Sequence, residues 1–157
     1  MIYSSGFFFD FEEDGWIVVS LLQAPELFKE GVKYLQVSTD EVYGTIKTLI
    51  ESAKEVSDVV IVSMHWRQEN VTVVPAGQVD FAKYLVECGA DVIIGSGAQV
   101  LQPIDWLDKT DGSKALCIYS LGNFVSGGTK ANNLLSAIAD ITFEKNATGG
   151  VDISGVG

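Results

Sequence analysis

Two apolar runs, "DVVIVSM" at 58–64 and "ADVIIG" at 90–95, constrain the fold more than any other feature of this chain. Both are strand-length and β-branched, and neither alternates with polar residues. A strand without alternation is buried on both faces, as in a parallel sheet covered by other elements. Between the runs, Val79, Ala82, Leu85 and Val86 recur at helical spacing from Ala76, and Gly89 supplies a stop. Apolar run, amphipathic crossover, apolar run predicts that residues 59–63 and 92–94 are parallel neighbours in one sheet, joined by a helix over 76–88.

The flanking segments extend this pattern. "GWIVVSLL" from Gly15 and "ALCIYSLG" from Ala115 read as further strands. "SGFFFDF" reads as a strand or a loop entering one, "QAPELFKEG" as a short turn closed by Gly31, and "VKYLQV" as extended. "STDEVYGTIKTLIESAKEVS" is the strongest helix: Ser38 and Glu41 form a capping box, and Val42, Ile46, Leu49, Ile50 and Ala53 share one face. "SGAQVLQPIDWLDKTDGSK" reads as a loop with one short helical or extended piece and a turn at "KTDG". A strand from near Ser136, the turn "ATGG" and a short strand "VDISGV" close the chain. The layout is α/β, a mostly parallel sheet with flanking helices. It puts "SMHW" and "IIGSG" on one carboxyl edge, where open α/β sheets bind ligands.

Composition narrows the partners. The 157 residues suit one ordinary domain, and 47% hydrophobic content excludes a disordered chain. The formal charge is −11, with only 10 Lys and Arg. A non-specific nucleic-acid binder needs a cationic surface, so nucleic acid is excluded as a partner, and an anionic membrane surface with it. No apolar stretch has the length of a membrane span, and "MIYSSGFFFDFEEDG" lacks the basic start of a secretory signal. The chain as given reads as soluble, without direct membrane insertion. Cys88 and Cys117 lie in apolar settings without metal-ligand spacing and read as buried free thiols.

His65, in "SMHWRQE", is the only histidine. At the end of a buried strand it can bind a borderline metal through a neutral nitrogen, or simply hydrogen-bond beside Trp66. A second motif leads nowhere. "VSTDEVYG" resembles the short motif of nucleotide-sugar dehydratases, but no Gly-rich dinucleotide turn precedes it. Helix capping explains Ser38, Thr39, Asp40 and Glu41 without a cofactor, and no nicotinamide binding is expected.

From Ser57 onward, "DVVIVSMHWRQE", "GQVDFAKYLVECGADVIIG", "VLQPIDW" and "IYSLGNFVSGG" resemble, in order and spacing, the CapA family of bacterial capsule and poly-γ-glutamate synthesis proteins. That family is similar to the calcineurin-like metallophosphatases. The resemblance implies a layered metallophosphatase-like sandwich, with 1–157 the carboxyl-terminal portion of a longer family domain and a cell-envelope setting. It implies catalytic roles for His65 and Glu69, with His65 also a metal ligand, and ligand-binding roles for Arg67, Ser96, Gln99 and Asn123. It admits a divalent metal (Mn, Zn or Mg), with none firmly assigned, and an anionic small molecule or polymer-related substrate.

Three departures matter. Arg67 stands where the family usually has Gly. Ser96, Gly97, Ala98 and Gln99 stand where it reads His-His-Pro-His after Gly95. The family's Gly-Asp and Asn-Asn-His segments are not found ahead of Gly15, and Asn132–Asn133 lie late in the chain, followed by leucine. One imidazole cannot fix two metal ions. The expectations are therefore a CapA-like protein without a tight two-metal centre, or a metal-dependent hydrolase, or a non-catalytic scaffold or binding module.

Overall fold

Residues 59–62 are buried without a break, as an interior parallel strand requires. The computed structural model describes residues 16–20, 39–66, 68–125 and 130–157. In chain order the elements are β1 (Trp16–Ser20), α1 (Thr39–Lys54), β2 (Val59–His65), α2 (Ala76–Glu87), β3 (Val92–Ser96), β4 (Leu101–Asp108), β5 (Lys114–Leu121), α3 (Ala131–Leu134), β6 (Ile141–Lys145) and β7 (Val151–Val156). Five strands form one sheet in the order β1-β2-β3-β5-β4. β1, β2, β3 and β5 run parallel, and β4 is antiparallel to β5 at the edge. β2 and β3 pair in parallel from Ile61↔Val92 to His65↔Ser96, with α2 as the crossover.

The pleat divides the core. Val60, Val62, Ile93, Cys117 and Tyr119 meet Ile50 and Ala53 of α1 and Ala82, Leu85 and Val86 of α2. Val59, Ile61, Val92, Ile94, Leu116 and Ile118 meet Ile141 and Phe143 of β6 and Val151 and Ile153 of β7. Helices cover one face and a two-stranded hairpin the other. Each fully buried Val, Leu or Ile stabilises the fold by about 1.5–3 kcal/mol.

Local chemistry sets the boundaries. α2 ends as its glycine requires: Gly89 has φ +115°, its N–H reaches Val86 O at 3.0 Å, and Ala90 N–H reaches Leu85 O at 3.1 Å. α1 buries a narrower stripe than its pattern predicts. Ile50 and Ala53 are buried, whereas Val42 and Leu49 are about half exposed. The segment at 101–108, read from sequence as a loop with one short piece, is a full edge strand. Its pattern hides the strand, since only Gln102 and Leu107 turn inward, and Pro103 is tolerated at a sheet edge. The last strand pair starts at Ile141 and not near Ser136; Ser136 instead bridges Gly122. Ser38, Arg67 and the segments "SGFFFDF", "QAPELFKEG" and "VKYLQV" lie outside the described residues.

Two devices tie the strands at opposite edges. At the amino edge, the Asp91 carboxylate accepts Val60 N–H at 2.7 Å, pairs with Lys54 at 2.8 Å and binds Lys109. One side chain thereby joins α1, β2 and the β4–β5 turn. At the carboxyl edge, the buried Trp66 indole passes over Gly95, and its Nε1–H donates to Tyr119 O at 2.9 Å. A Cβ on Gly95 would lie 2.1 Å from Tyr119 O and 2.3 Å from Trp66 Nε1. The missing side chain of β3 thus lets β2 reach β5.

Both cysteines are free and buried, as their settings predict. Burial pushes the Cys117 thiol up to about 12 and also raises Cys88. The Tyr119 phenol is raised as well, first by burial and then by the neighbouring Cys117.

Three outcomes follow from this packing. Asp91→Ala should lower stability by about 2–3 kcal/mol, read as a shifted urea midpoint with unchanged slope. Gly95→Ala should cost about 3 kcal/mol or more, because its Cβ meets a backbone oxygen, while Gly77→Ala, with nothing within 4 Å, should be neutral. Native protein at pH 8 should leave both thiols unreacted with Ellman's reagent, and denaturant should release both. A raised thiol pKa stabilises the fold only below the free-thiol range, so stability should decline as pH climbs from about 8.5.

Candidate functional site

Parallel pairing places the ends of β2, β3 and β5 side by side, the Trp66 tie holds the chain just beyond them, and His65 and Ser96 stand there. His65 closes β2 and is exposed. Its register partner is Ser96, the last residue of β3. Parallel pairing puts the two on one face, with Ser96 Oγ 3.4 Å from His65 Nδ1. The same hydroxyl donates to Met64 O at 3.3 Å, which leaves its lone pairs toward the imidazole.

Gly97 determines what can approach that ring. Its φ is +92°, and a Cβ there would lie 2.3 Å from Trp66 O and 2.9 Å from His65 Nε2. The imidazole therefore rests over bare backbone, and position 97 accepts no side chain. Trp66 N–H donates to Ser96 O at 2.8 Å and pins the start of the loop.

Asparagines hold the far end of the same loop. Asn70 N–H donates to Ala98 O at 2.7 Å. Asn123 Nδ2 donates to Gln99 O at 3.2 Å, and Asn133 Nδ2 donates to Gln99 O at 3.1 Å and to Asn70 Oδ1 at 2.7 Å. Asn70 and Gln99 have φ of 61° and 60°, a left-handed conformation that asparagine tolerates and glutamine resists. Gly122, with φ +75°, turns the chain after β5 so that Asn123 faces the loop. A Cβ on Gly122 would meet Leu135 O at 2.4 Å, so the turn needs glycine, as the "YSLGNF" motif suggests.

Of the residues the sequence nominates, the structure pairs Ser96 with His65 and Asn123 with Gln99. Gln99 contributes its backbone carbonyl to that pairing. Glu69 is exposed on the turn after β2 and makes no hydrogen bond or ion pair with the described residues. Arg67 lies outside them. Sequence reasoning misses Asn70 and Asn133. The first has no motif, and the second sits in "ANNLL", where its neighbours are exposed and it alone is buried.

Beside His65 opens a cavity of about 700 Å³, walled by Tyr43, Met64, Trp66 and Phe81 with Gln68 and Gln78 at its polar side. A second cavity, of about 370 Å³, lies at the amino edge near Asp91. Its lysines, Lys109 and Lys114, are already paired with Asp91 and Asp108, so the carboxyl edge is the stronger candidate. The Lys114 ammonium holds the Asp108 carboxyl below its ordinary range.

Among the described residues, no three His, Cys, Asp or Glu side chains come together. Among these residues, His65 meets the Ser96 hydroxyl and the Gly97 backbone, and the loop behind them is held by amides. These donors do not fit a pair of borderline divalent ions, which calls for converging imidazoles and carboxylates. No helix among the described residues is long and apolar enough to cross a membrane.

Comparison with known proteins agrees with the motifs at this edge. The family model for bacterial capsule synthesis protein PGA_cap matches residues 18–128. The PGA biosynthesis protein CapA of Bacillus subtilis (strain 168) is 34% identical over 108 residues, 68% of this chain and 27% of that protein. The capsule biosynthesis protein CapA of Bacillus anthracis is 31% identical over 127 residues, 80% of this chain and 29% of that protein. The chain thus spans less than a third of the length of these relatives. With Trp66 over Gly95 and the "YSLGNF" turn inside the matched span, this chain belongs to the bacterial capsule synthesis protein PGA_cap family.

Proposed function

We propose that this chain serves capsule or poly-γ-glutamate production as a CapA-type domain whose carboxyl edge binds an anionic ligand, without paired-metal hydrolysis. One observation carries the reading: Gly97 lies under the imidazole and accepts no side chain, so the loop meets His65 with a hydroxyl and backbone. Such groups donate and accept hydrogen bonds, and they suit recognition of an acyl or phosphoryl oxygen better than metal capture. His65 and Ser96 would contact the ligand, with Gln99 and Asn123 shaping the loop. Glu69, exposed on the turn after β2, would meet the ligand from its rim, and Arg67 is proposed as a further ligand-binding residue. The names of the two Bacillus relatives, a PGA biosynthesis protein and a capsule biosynthesis protein, support the pathway.

The same reading takes 1–157 as a portion of a longer family domain, in a cell-envelope setting and with a layered metallophosphatase-like architecture. The span of under a third of each relative supports the first point. The sheet with helices on one face and a hairpin on the other supports the last. A metal-dependent, phosphatase-like hydrolase is the second reading, favoured by one feature: an exposed imidazole at the end of a buried strand. A purely non-catalytic scaffold is the third.

Two measurements separate these readings. After dialysis against Zn²⁺ or Mn²⁺, the protein should retain less than one equivalent of metal and should not turn over a generic phosphodiester. Two retained equivalents, with turnover abolished in His65→Ala, would establish the hydrolase. Calorimetric titration with a γ-glutamyl oligomer should show saturable binding that weakens about tenfold in His65→Ala, a loss of about 1.4 kcal/mol. No saturation in the wild type would leave the scaffold.

A further inference from the structure

We propose that Asn133 is a positioning residue of the carboxyl-edge site: its side-chain amide holds the Ser96–Gln99 loop against His65. The inference rests on reading that edge as the binding site, and four observations carry it.

The first is burial. α3 is one turn long, and its other side chains face outward: Asn132 is exposed and Leu134 is 60% exposed, whereas Asn133 is only 7% exposed. A helix that turns its amide inward and its leucine outward does not pack for apolar burial. The inward amide must be offset by hydrogen bonds.

The second is how completely the amide is used. Nδ2 has two protons and meets two acceptors, Asn70 Oδ1 at 2.7 Å and Gln99 O at 3.1 Å. Those acceptors belong to the turn after β2 and to the loop between β3 and β4. Asn133 itself comes from the segment after β5. One amide therefore joins the chain beyond all three strand ends. It does not serve as a cap of its own helix, whose N-cap residue is Lys130.

The third is strain. The two residues it grips are the described non-glycine residues with positive φ, Asn70 and Gln99. A left-handed glutamine persists only where its surroundings over-determine it. Here Gln99 O is held by two amides, from Asn123 and Asn133, and Asn70 N–H returns to Ala98 O.

The fourth is what the gripped loop touches. It begins at Ser96, whose hydroxyl meets His65 Nδ1, and at Gly97, which underlies the imidazole. A shift at Gln99 passes through three residues to the surface on which His65 rests.

His65 is the only histidine, so its imidazole gives one assignable set of resonances in a nuclear magnetic resonance spectrum. Asn133→Asp keeps the shape and removes both donors, setting carboxylate oxygens against two acceptors. Asn133→Leu keeps the volume and removes all polarity. Asn132→Asp, on the exposed neighbour, is the control. In both Asn133 variants the His65 imidazole resonances and the Ser96–Gln99 amides should move, and the Asn70 amide should exchange roughly tenfold faster. The control should match the wild type. Unmoved His65 resonances in folded Asn133 variants would overturn the proposal. So would movement in Asn133→Leu alone, which would assign the effect to packing. If neither Asn133 variant folds, Asn123→Ala removes the other donor to Gln99 O. It should displace the same resonances by less, and no displacement would overturn the proposal. All these readings are made without ligand, so a wild type that binds nothing would refute the binding role of the edge and leave this test intact.

Discussion

The carboxyl edge depends on an indole that reaches across a strand with no side chain in its way. Trp66 leaves β2, passes over Gly95 of β3 and donates to the Tyr119 carbonyl of β5. Strand pairing alone would align these three ends. The indole bond holds the chain just beyond them, where pairing stops. His65 precedes Trp66, Ser96 follows Gly95 and Asn123 lies shortly after Tyr119, so the candidate residues cluster around that contact. A buried indole N–H without a partner would be costly, which makes the tie all-or-none.

The two sheet edges use different chemistry. At the amino edge, one carboxylate gathers two lysines and a backbone amide, a charged knot that links a helix, a strand and a hairpin turn. At the carboxyl edge the links are neutral: indole to carbonyl, and asparagine amides to carbonyl and amide oxygens. Charge is spent on holding the fold at the end away from the candidate site. The site is left with an exposed imidazole, a hydroxyl and a loop of fixed backbone shape.

This division bears on how the chain relates to its family. The span that the family model matches contains what builds the edge: the buried strands, the tryptophan, the glycine beneath it and the "YSLGNF" turn. Ser96 to Gln99 form the loop against which His65 rests. At Gly97 the backbone itself excludes a side chain, since a Cβ there would strike Trp66 O. Asn70, Asn123 and Asn133 tie together the loop ends at this surface, a service that hydrogen bonds can render without a metal.

Much of the fold was legible in the sequence because burial on both faces leaves a one-dimensional trace. Uninterrupted Val and Ile announced β2 and β3, helical spacing announced α2, and Gly89 and Gly122 announced turns that no other residue makes easily. The edge strand β4 left no such trace, because only Gln102 and Leu107 face inward. α1 was read with too wide an apolar face, since periodicity records which residues could be buried and not how much of a neighbour reaches them. At the candidate site, His65, Ser96, Gln99 and Asn123 were nominated from strand ends and family motifs. Their pairing was not: that Ser96 meets the imidazole follows from the β2–β3 register, and that Asn123 meets the Gln99 carbonyl follows from a glycine turn. Asn133 was invisible for the plainest physical reason. A hydrogen bond to a residue 63 positions away depends on where two loops arrive in space, and only the tertiary structure decides that.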